Sequence, residues 1–231
     1  MAKAATAVEA GTGRRTGLDR DDVVAAALDL VEREGAGALS MRRLATELDV
    51  ATPTIYWHVG SRDELVAAVI RLQGDRLAER AVVGRNPHDR VFDAAWHIWT
   101  SSIEHRATTS LAHQTGTSSL LAHRLEAALV LELEAAGVVG QEAADATRAI
   151  LMAVGGALVL ALRDPARYPP EYRPDALWAE SDAPITPETR AALRAEPDIE
   201  ALSAATLRAV VDRYVPARPT TRPSRSRSTK P

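Results

Sequence analysis

The 231-residue chain contains no cysteine, which excludes disulfides and thiolate metal sites. Residues 1–17 hold no apolar segment of the kind a secretory signal needs, so the expected location is the cytoplasm, with no membrane partner. Long hydrophobic runs are missing as well. The longest, Ala149–Leu162, is interrupted by Gly155-Gly156; it is too short for a bilayer and reads as a buried helix. No stretch alternates as a strand would, and no repeat is present, so the expected fold is all-α. Catalytic signatures are absent in their turn. The six histidines are His58, His88, His97, His105, His113 and His123; none sits in an H-E-x-x-H pattern and no two are spaced for helical metal ligation. Neither a Gly-x-Ser-x-Gly elbow nor a phosphate loop occurs. A histidine-dependent metal enzyme is therefore the remote alternative; no catalytic residues, no metal and no cofactor are expected. Excess positive charge is also lacking, since the formal net charge is −3. Any nucleic-acid partner must be met by the placement of cations rather than by their total.

What the chain does have is an ordered series of short helical signals. Val24, Ala27, Leu28 and Val31 repeat at helical spacing in a first helix from about Asp21 to Glu34, which Gly35-Ala36-Gly37 stops. Asp19, Asp21, Asp22, Asp29, Glu32 and Glu34 crowd this region and must face away from any polyanion. Ser40 is placed as the N-cap of a second helix that buries Met41, Leu44, Ala45 and Leu48. Asp49-Val50-Ala51 makes a turn. A third helix then follows, with Thr52 expected as its N-cap and Pro53 at its first position. It is barely two turns long yet carries Tyr56, Trp57 and His58. A hydroxyl, an indole N–H and an imidazole on so short a helix suit phosphates and base edges better than a core. Two short helices joined by a tight turn read as helix-turn-helix. Ser61 and Glu64 then form a capping box that launches a longer helix with Leu65, Val69 and Leu72.

Further helices are expected over about Pro87–His105, Ser118–Ala136, Gln141–Arg163, Pro187–Ala195 and Asp198–Tyr214, with a shorter one near Thr108–Gln114. Asp164–Pro184 is proline-rich and reads as a connection. The organisation expected is a disordered basic arm over 1–17, a DNA-binding domain over 18–64, a helical ligand-binding and dimerisation domain over 65–215, and a disordered basic tail over 216–231. The arm ends near Arg14 and Arg15; the tail carries Arg218, Arg222, Arg225, Arg227 and Lys230 without an acid.

Leu18 to about Val69 resembles the DNA-binding domain of the tetracycline-repressor (TetR) family of bacterial regulators. The resemblance is carried by Ala26, Leu28 and Leu30 before Gly35, then Ser40-Met41-Arg42-Arg43-Leu44-Ala45, then Thr52 to Val59, then Arg62-Asp63-Glu64-Leu65. Tyr56-Trp57-His58 is close to the tetracycline repressors themselves. Glu104-His105-Arg106 and Ala153-Val154-Gly155 resemble anchor points of that subfamily's effector domain. The resemblance implies a homodimer on palindromic double-stranded operator DNA, released when a small molecule binds among the effector helices. It implies that Arg42, Thr52, Pro53 and Tyr56 touch bases, and that Thr54, Trp57, His58 and Arg62 hold phosphates. The chemistry agrees: Arg can grip guanine O6 and N7, while Pro and Tyr can pack on a thymine methyl. Arg43 stands beside them as a further candidate, more a solvated charge than a base reader. An activator or a global DNA-binding regulator without small-molecule release is the alternative.

For the effector, Trp96, His97, Trp99, His105, His113, Thr115 and Thr117 mix aromatic faces with polar donors as a drug-sized pocket needs. Ala78 and Ala94 stand where tetracycline repressors carry polar drug-gripping residues. Tetracycline with Mg²⁺ is therefore not the favoured effector; a different, larger and more apolar natural product or metabolite is. For dimerisation, the apolar Ala149–Leu162 stretch with Gly155 and Gly156, and a stripe of Leu207, Val210, Val211 and Tyr214, would supply two helices per subunit to an intermolecular four-helix bundle.

Overall fold

A computed structural model of the chain describes residues 17–163 and 169–215. The expected arm (through residue 16), the expected tail and residues 164–168 of the expected connection lie outside the described residues. Among the described residues there are eleven α-helices and no strand. Two compact units divide between Val69 and Ile70, inside the fourth helix.

The first unit is built on α1 (Arg20–Glu34), α2 (Met41–Glu47), α3 (Thr52–Val59) and the beginning of α4 (Arg62–Leu77). Asp19 caps α1 by accepting from the Asp22 amide at 2.8 Å, and Asp22 returns the bond to the Asp19 amide. Gly35, at φ 92°, ends the helix in a conformation that a side chain would resist. Val24, Ala27, Leu28 and Val31 are buried as their spacing requires, and Val23 and Leu30 join them. Ser40 caps α2 through the Arg43 amide, and Met41, Leu44 and Ala45 are buried. Leu48, expected beside them, is only half-buried because it closes the helix rather than continuing its inner face. Asp49 then turns the chain at φ 53°, a left-handed conformation that Asp tolerates better than most residues. α3 differs from expectation at its start. Ala51 occupies the N-cap, with the Thr54 amide bonded to its carbonyl at 2.9 Å, so Thr52 is already helical and its side chain makes no cap. Ile55 and Val59, one turn apart, are its buried residues and hold α3 against α1 and α2. The capping box at Ser61 and Glu64 is present, with both reciprocal bonds formed.

The second unit begins with the remainder of α4. It continues through α5 (Pro87–Glu104), α6 (Arg106–Gln114), α7 (Ser118–Ala135) and α8 (Gln141–Ala161) to α9 (Pro174–Glu180), α10 (Pro187–Arg194) and α11 (Ile199–Tyr214). Its core joins α5, α7, α8 and α11. Val91, Ala95, Leu129, Leu133, Ile150, Leu207 and Val211 are among the side chains that close it. Each large aliphatic buried there contributes roughly 1.5–3 kcal/mol from desolvation. Gly74 of α4 lets the α7 backbone come close, since a Cβ there would stand 2.8 Å from the Leu121 carbonyl oxygen. The proline-rich connection holds a helix that the sequence reading missed: α9 opens at Pro174, where a missing amide hydrogen costs nothing. Arg190 of α10 donates to the carbonyls of Trp178, Ser181 and Ala183 and ties the two small helices together.

Candidate nucleic-acid interface and effector cavity

Burying Ile55 and Val59 turns the rest of α3 outward. Tyr56 is 50% exposed and Trp57 80% exposed, an unusual position for two large aromatic rings in a well-packed domain. Trp57 meets His58 edge to face at 4.7 Å, so the indole and imidazole are held as one projecting pair. Pro53 is exposed, and Thr52, Thr54 and His58 are half-exposed on the same helix. Arg62 is exposed at the start of α4. Arg42 is exposed on α2, and its guanidinium has no hydrogen bond or ion pair among the described residues.

Its neighbour Arg43 behaves differently. Its guanidinium lies 2.7 Å from Glu34 and 3.5 Å from Glu47, while Arg33 reaches the same two acids at 3.3 and 2.8 Å. The hydrogen bond from Arg43 outweighs partial desolvation and holds Glu34 below the usual carboxylate range. This four-charge cluster ties the end of α1 to α2 and matches the Arg43 charge within the domain. Arg43 is thus ion-paired within the domain, unlike Arg42. The same contacts explain how Glu34, one of the awkward acids, is neutralised.

In the second unit the expected effector residues separate. Along α5, Phe92, Trp96 and Trp99 stack with centroids 6.2 and 4.6 Å apart. The Arg208 guanidinium covers the Phe92 ring at 4.3 Å. Trp99 lines a cavity of about 290 Å³ together with Ile103, Leu160, Ala161, Arg163, Glu196, Ile199 and Glu200. Of the seven residues expected around an effector, Trp99 alone is in that lining. Trp96 backs it in the stack. His97 faces another way: its Nε2 donates to the Leu77 carbonyl at the end of α4, 2.9 Å away, and its Nδ1 lies 3.1 Å from the Ser101 hydroxyl. His105 stands at the junction of α5 and α6. His113 and Thr115 are exposed at the end of α6, with Thr115 bonded to Leu111 and Thr117. Sequence reasoning missed Leu160, Arg163, Glu196 and Glu200, which only the fold brings near α5. Ala94 is buried in the core and Ala78 packs partly against it. Among the described residues, no three His, Asp or Glu side chains gather as a metal-holding group.

A second link joins α5 to the segment after α4. Arg80 grips Asp93 through two bonds of 2.9 and 2.7 Å, and the Val83 amide donates to the same carboxylate. Partial burial pushes Asp93 up, but these donors and the Arg80 charge pull it below its ordinary value.

The expected dimer face is corrected in its second half. Leu207 and Val211 are completely covered within the chain's own core, and Val210 and Tyr214 are half-buried against it. The stripe was read at the right period, but it is the inward face of α11. The outward face carries Leu202, Ala205, Thr206 and Ala209, again at helical spacing and exposed. On α8 the exposed stripe is Met152, Gly155, Gly156 and Val159, with Met152 78% and Val159 74% exposed.

Known proteins resemble this chain both in sequence, over its first unit, and in fold. Residues 23–69, covering most of α1 to the middle of α4, match the model of the bacterial regulatory proteins of the tetR family. This stretch of the chain is similar to the DNA-binding region of tetR-family regulators. Against the class D tetracycline repressor of Escherichia coli it is 34% identical over 90 residues, which are 39% of this chain and 37% of the repressor. The match thus spans little more than a third of that relative's length. Solved TetR-family structures extend the likeness of fold further. A TetR transcriptional regulator from Streptomyces coelicolor superposes with TM-score 0.67 at 23% identity, covering 87% of this chain and all of that one. The Streptomyces coelicolor TetR-family protein ActR, in complex with (S)-DNPA, gives 0.65 at 22% identity over 86% of this chain and 98% of its own. The all-helical fold is therefore TetR-like along nearly the whole described chain.

Proposed function

We propose that this TetR-family protein is a cytoplasmic transcriptional repressor. In this reading it binds a palindromic operator as a homodimer and lets go when a small molecule occupies its C-terminal unit. The observation that carries the reading is the outward face of α3. Tyr56 and Trp57 project into solvent, and Arg42 is exposed and has no ion pair among the described residues, on helices whose inner faces are packed. Arg42, Thr52, Pro53 and Tyr56 read base edges, while Thr54, Trp57, His58 and Arg62 hold phosphates.

Dimerisation rests on two glycines. Gly155 and Gly156 sit inside a continuous 21-residue helix, and a Cβ at either would meet nothing within 4 Å. Nothing among the described residues requires them, yet glycine in a helix interior costs roughly 0.8–1 kcal/mol against alanine. A second copy approaching closely along Met152, Gly155, Gly156 and Val159 accounts for that cost, with Leu202, Ala205 and Ala209 of α11 flanking it. α8 is also long and apolar enough to cross a membrane by length and composition. A second copy fits better, because its opposite face, Ala143, Ala146, Ile150 and Val154, is packed into the core.

The effector enters the cavity beside Trp99. ActR carrying (S)-DNPA is a structural relative in which a small molecule is bound. From the cavity, α5 reaches the end of α4 through His97 and the segment after α4 through Asp93, and α4 is the helix that continues from the reading unit. Effector binding shifts this linkage and with it the spacing of the two reading heads. Mg²⁺-tetracycline is disfavoured, because the apolar Ala78 and Ala94 would leave its polar edge unpaired. Selecting duplexes from a random pool with the full chain tests the reading. The expected product is a two-fold symmetric site with half-sites about one helical turn apart, bound by one dimer and released by at least one compound in a small-molecule screen. An asymmetric or unselected pool would overturn it.

A further inference from the structure

The two small helices α9 and α10 bury none of their own residues. They pack on each other, and Leu177, Leu193 and the preceding Tyr172 stay exposed. Their charge is as open as their apolar surface. Over 170–200 the chain carries eight acids against three arginines, a net of −5. All eight acids, from Glu171 to Glu200, are exposed, and none forms an ion pair among the described residues. Arg190 spends its guanidinium on the carbonyls of Trp178, Ser181 and Ala183 rather than on an acid. Electrostatic complementarity asks for a cationic partner here.

The chain itself supplies one. Residues 216–231 hold Arg218, Arg222, Arg225, Arg227 and Lys230, no acid, and prolines at 216, 219, 223 and 231. Five cations match the excess of five acids. Proline also lowers the conformational entropy that docking must remove. Reach permits the pairing. The helix between the hairpin and this segment, α11, has 16 residues and is about 24 Å long. The segment also has 16 residues, which extend over roughly 50 Å.

We propose that the α9–α10 hairpin is the docking surface for the chain's own C-terminal segment, residues 216–231. The arginines lie against Glu171, Asp175, Glu180 and Asp182, and the prolines against Tyr172 and Leu177. The five cations are then held on the second unit rather than offered to DNA.

The absence of cysteine allows a single probe site in the full chain. Ser224→Cys carries a nitroxide, and the amide resonances report what lies near it. At roughly 0.1 M salt the signals of α9 and α10 should lose about half their intensity. They should regain it at about 1 M, where the screening length shrinks to ~3 Å. Neutralising the acids, with Glu171→Gln, Asp175→Asn, Glu180→Gln and Asp182→Asn together, should remove the loss at low salt. A second variant, Arg218→Gln with Arg222→Gln, Arg225→Gln and Arg227→Gln, changes no described residue and should do the same. It keeps the test decisive if the first variant fails to fold. Loss spread evenly over the surface, loss that persists in either folded variant, or no loss at all would overturn the proposal. No loss at the hairpin, together with weaker binding of a DNA duplex by the arginine variant, would overturn it in favour of DNA.

Discussion

α3 and α5 carry aromatic side chains in opposite ways. On the eight-residue α3, Tyr56 and Trp57 stand in solvent while the small inner face, Ile55 and Val59, does the packing. On the eighteen-residue α5, Phe92, Trp96 and Trp99 turn inward and stack. A short helix cannot bury three large faces and still present an edge to a partner. A long one can bury a stripe and leave one ring at a cavity. The difference teaches that an aromatic residue is read by what surrounds it on the helix, not by its type.

Breaking the contrast begins with the largest effect. Trp99→Ala should lower the stability of the second unit by about 3–5 kcal/mol, as truncation of a buried tryptophan does; denaturant unfolding followed by circular dichroism reads it. Trp57→Ala, the matching change on α3, should stay within about 0.5 kcal/mol while weakening operator binding. Equal losses at both positions would abolish the distinction. Ile55→Ala should cost about 2–5 kcal/mol and remove operator binding by melting the reading unit, which separates packing from contact on one helix.

The exposed face of α3 was legible in the sequence for a physical reason. Tyr56 and Trp57 are consecutive on a helix of two turns, which has only one outer side, whereas the role of Arg42 on α2 came from the resemblance. The cavity was not legible. Trp99 and Glu200 are a hundred residues apart in the chain, and only the packing of α5, α8 and α11 brings their neighbourhoods together. Leu207 and Val211 show a third case. An apolar stripe at helical period announces a covered face, but periodicity does not tell a chain's own core from a partner's surface. Gly155 and Gly156, which meet no neighbour among the described residues, are the reason α8 rather than this stripe is proposed as the partner face.

That last point can be sharpened at a smaller scale. Replacing Gly155 and Gly156 together with alanine should stabilise an isolated chain by roughly 1–2 kcal/mol on helix propensity. In the dimer it should instead weaken association by pushing the two backbones apart. Sedimentation at several concentrations, beside thermal melts, distinguishes the two. A more stable variant with unchanged association would remove α8 from the interface.

The smallest effect concerns pH. Asp93 is held below its unfolded value, so its contribution is fully present above the unfolded carboxylate range and is lost as pH falls through the lowered native value. Acidification should therefore loosen the grip of Arg80 on α5. Asp93→Asn should flatten the acid limb of the stability curve and alter effector-driven release at neutral pH. An acid limb unchanged in the variant would show that Asp93 contributes nothing to it.

The most direct measurement is the base preference of Arg42→Ala against the selected operator, one substituted base pair at a time. Loss of roughly 1–3 kcal/mol of discrimination at a single pair in each half-site, with other positions unchanged, is the result expected if α2 and α3 together read the major groove. An identical preference profile in the variant would contradict that assignment.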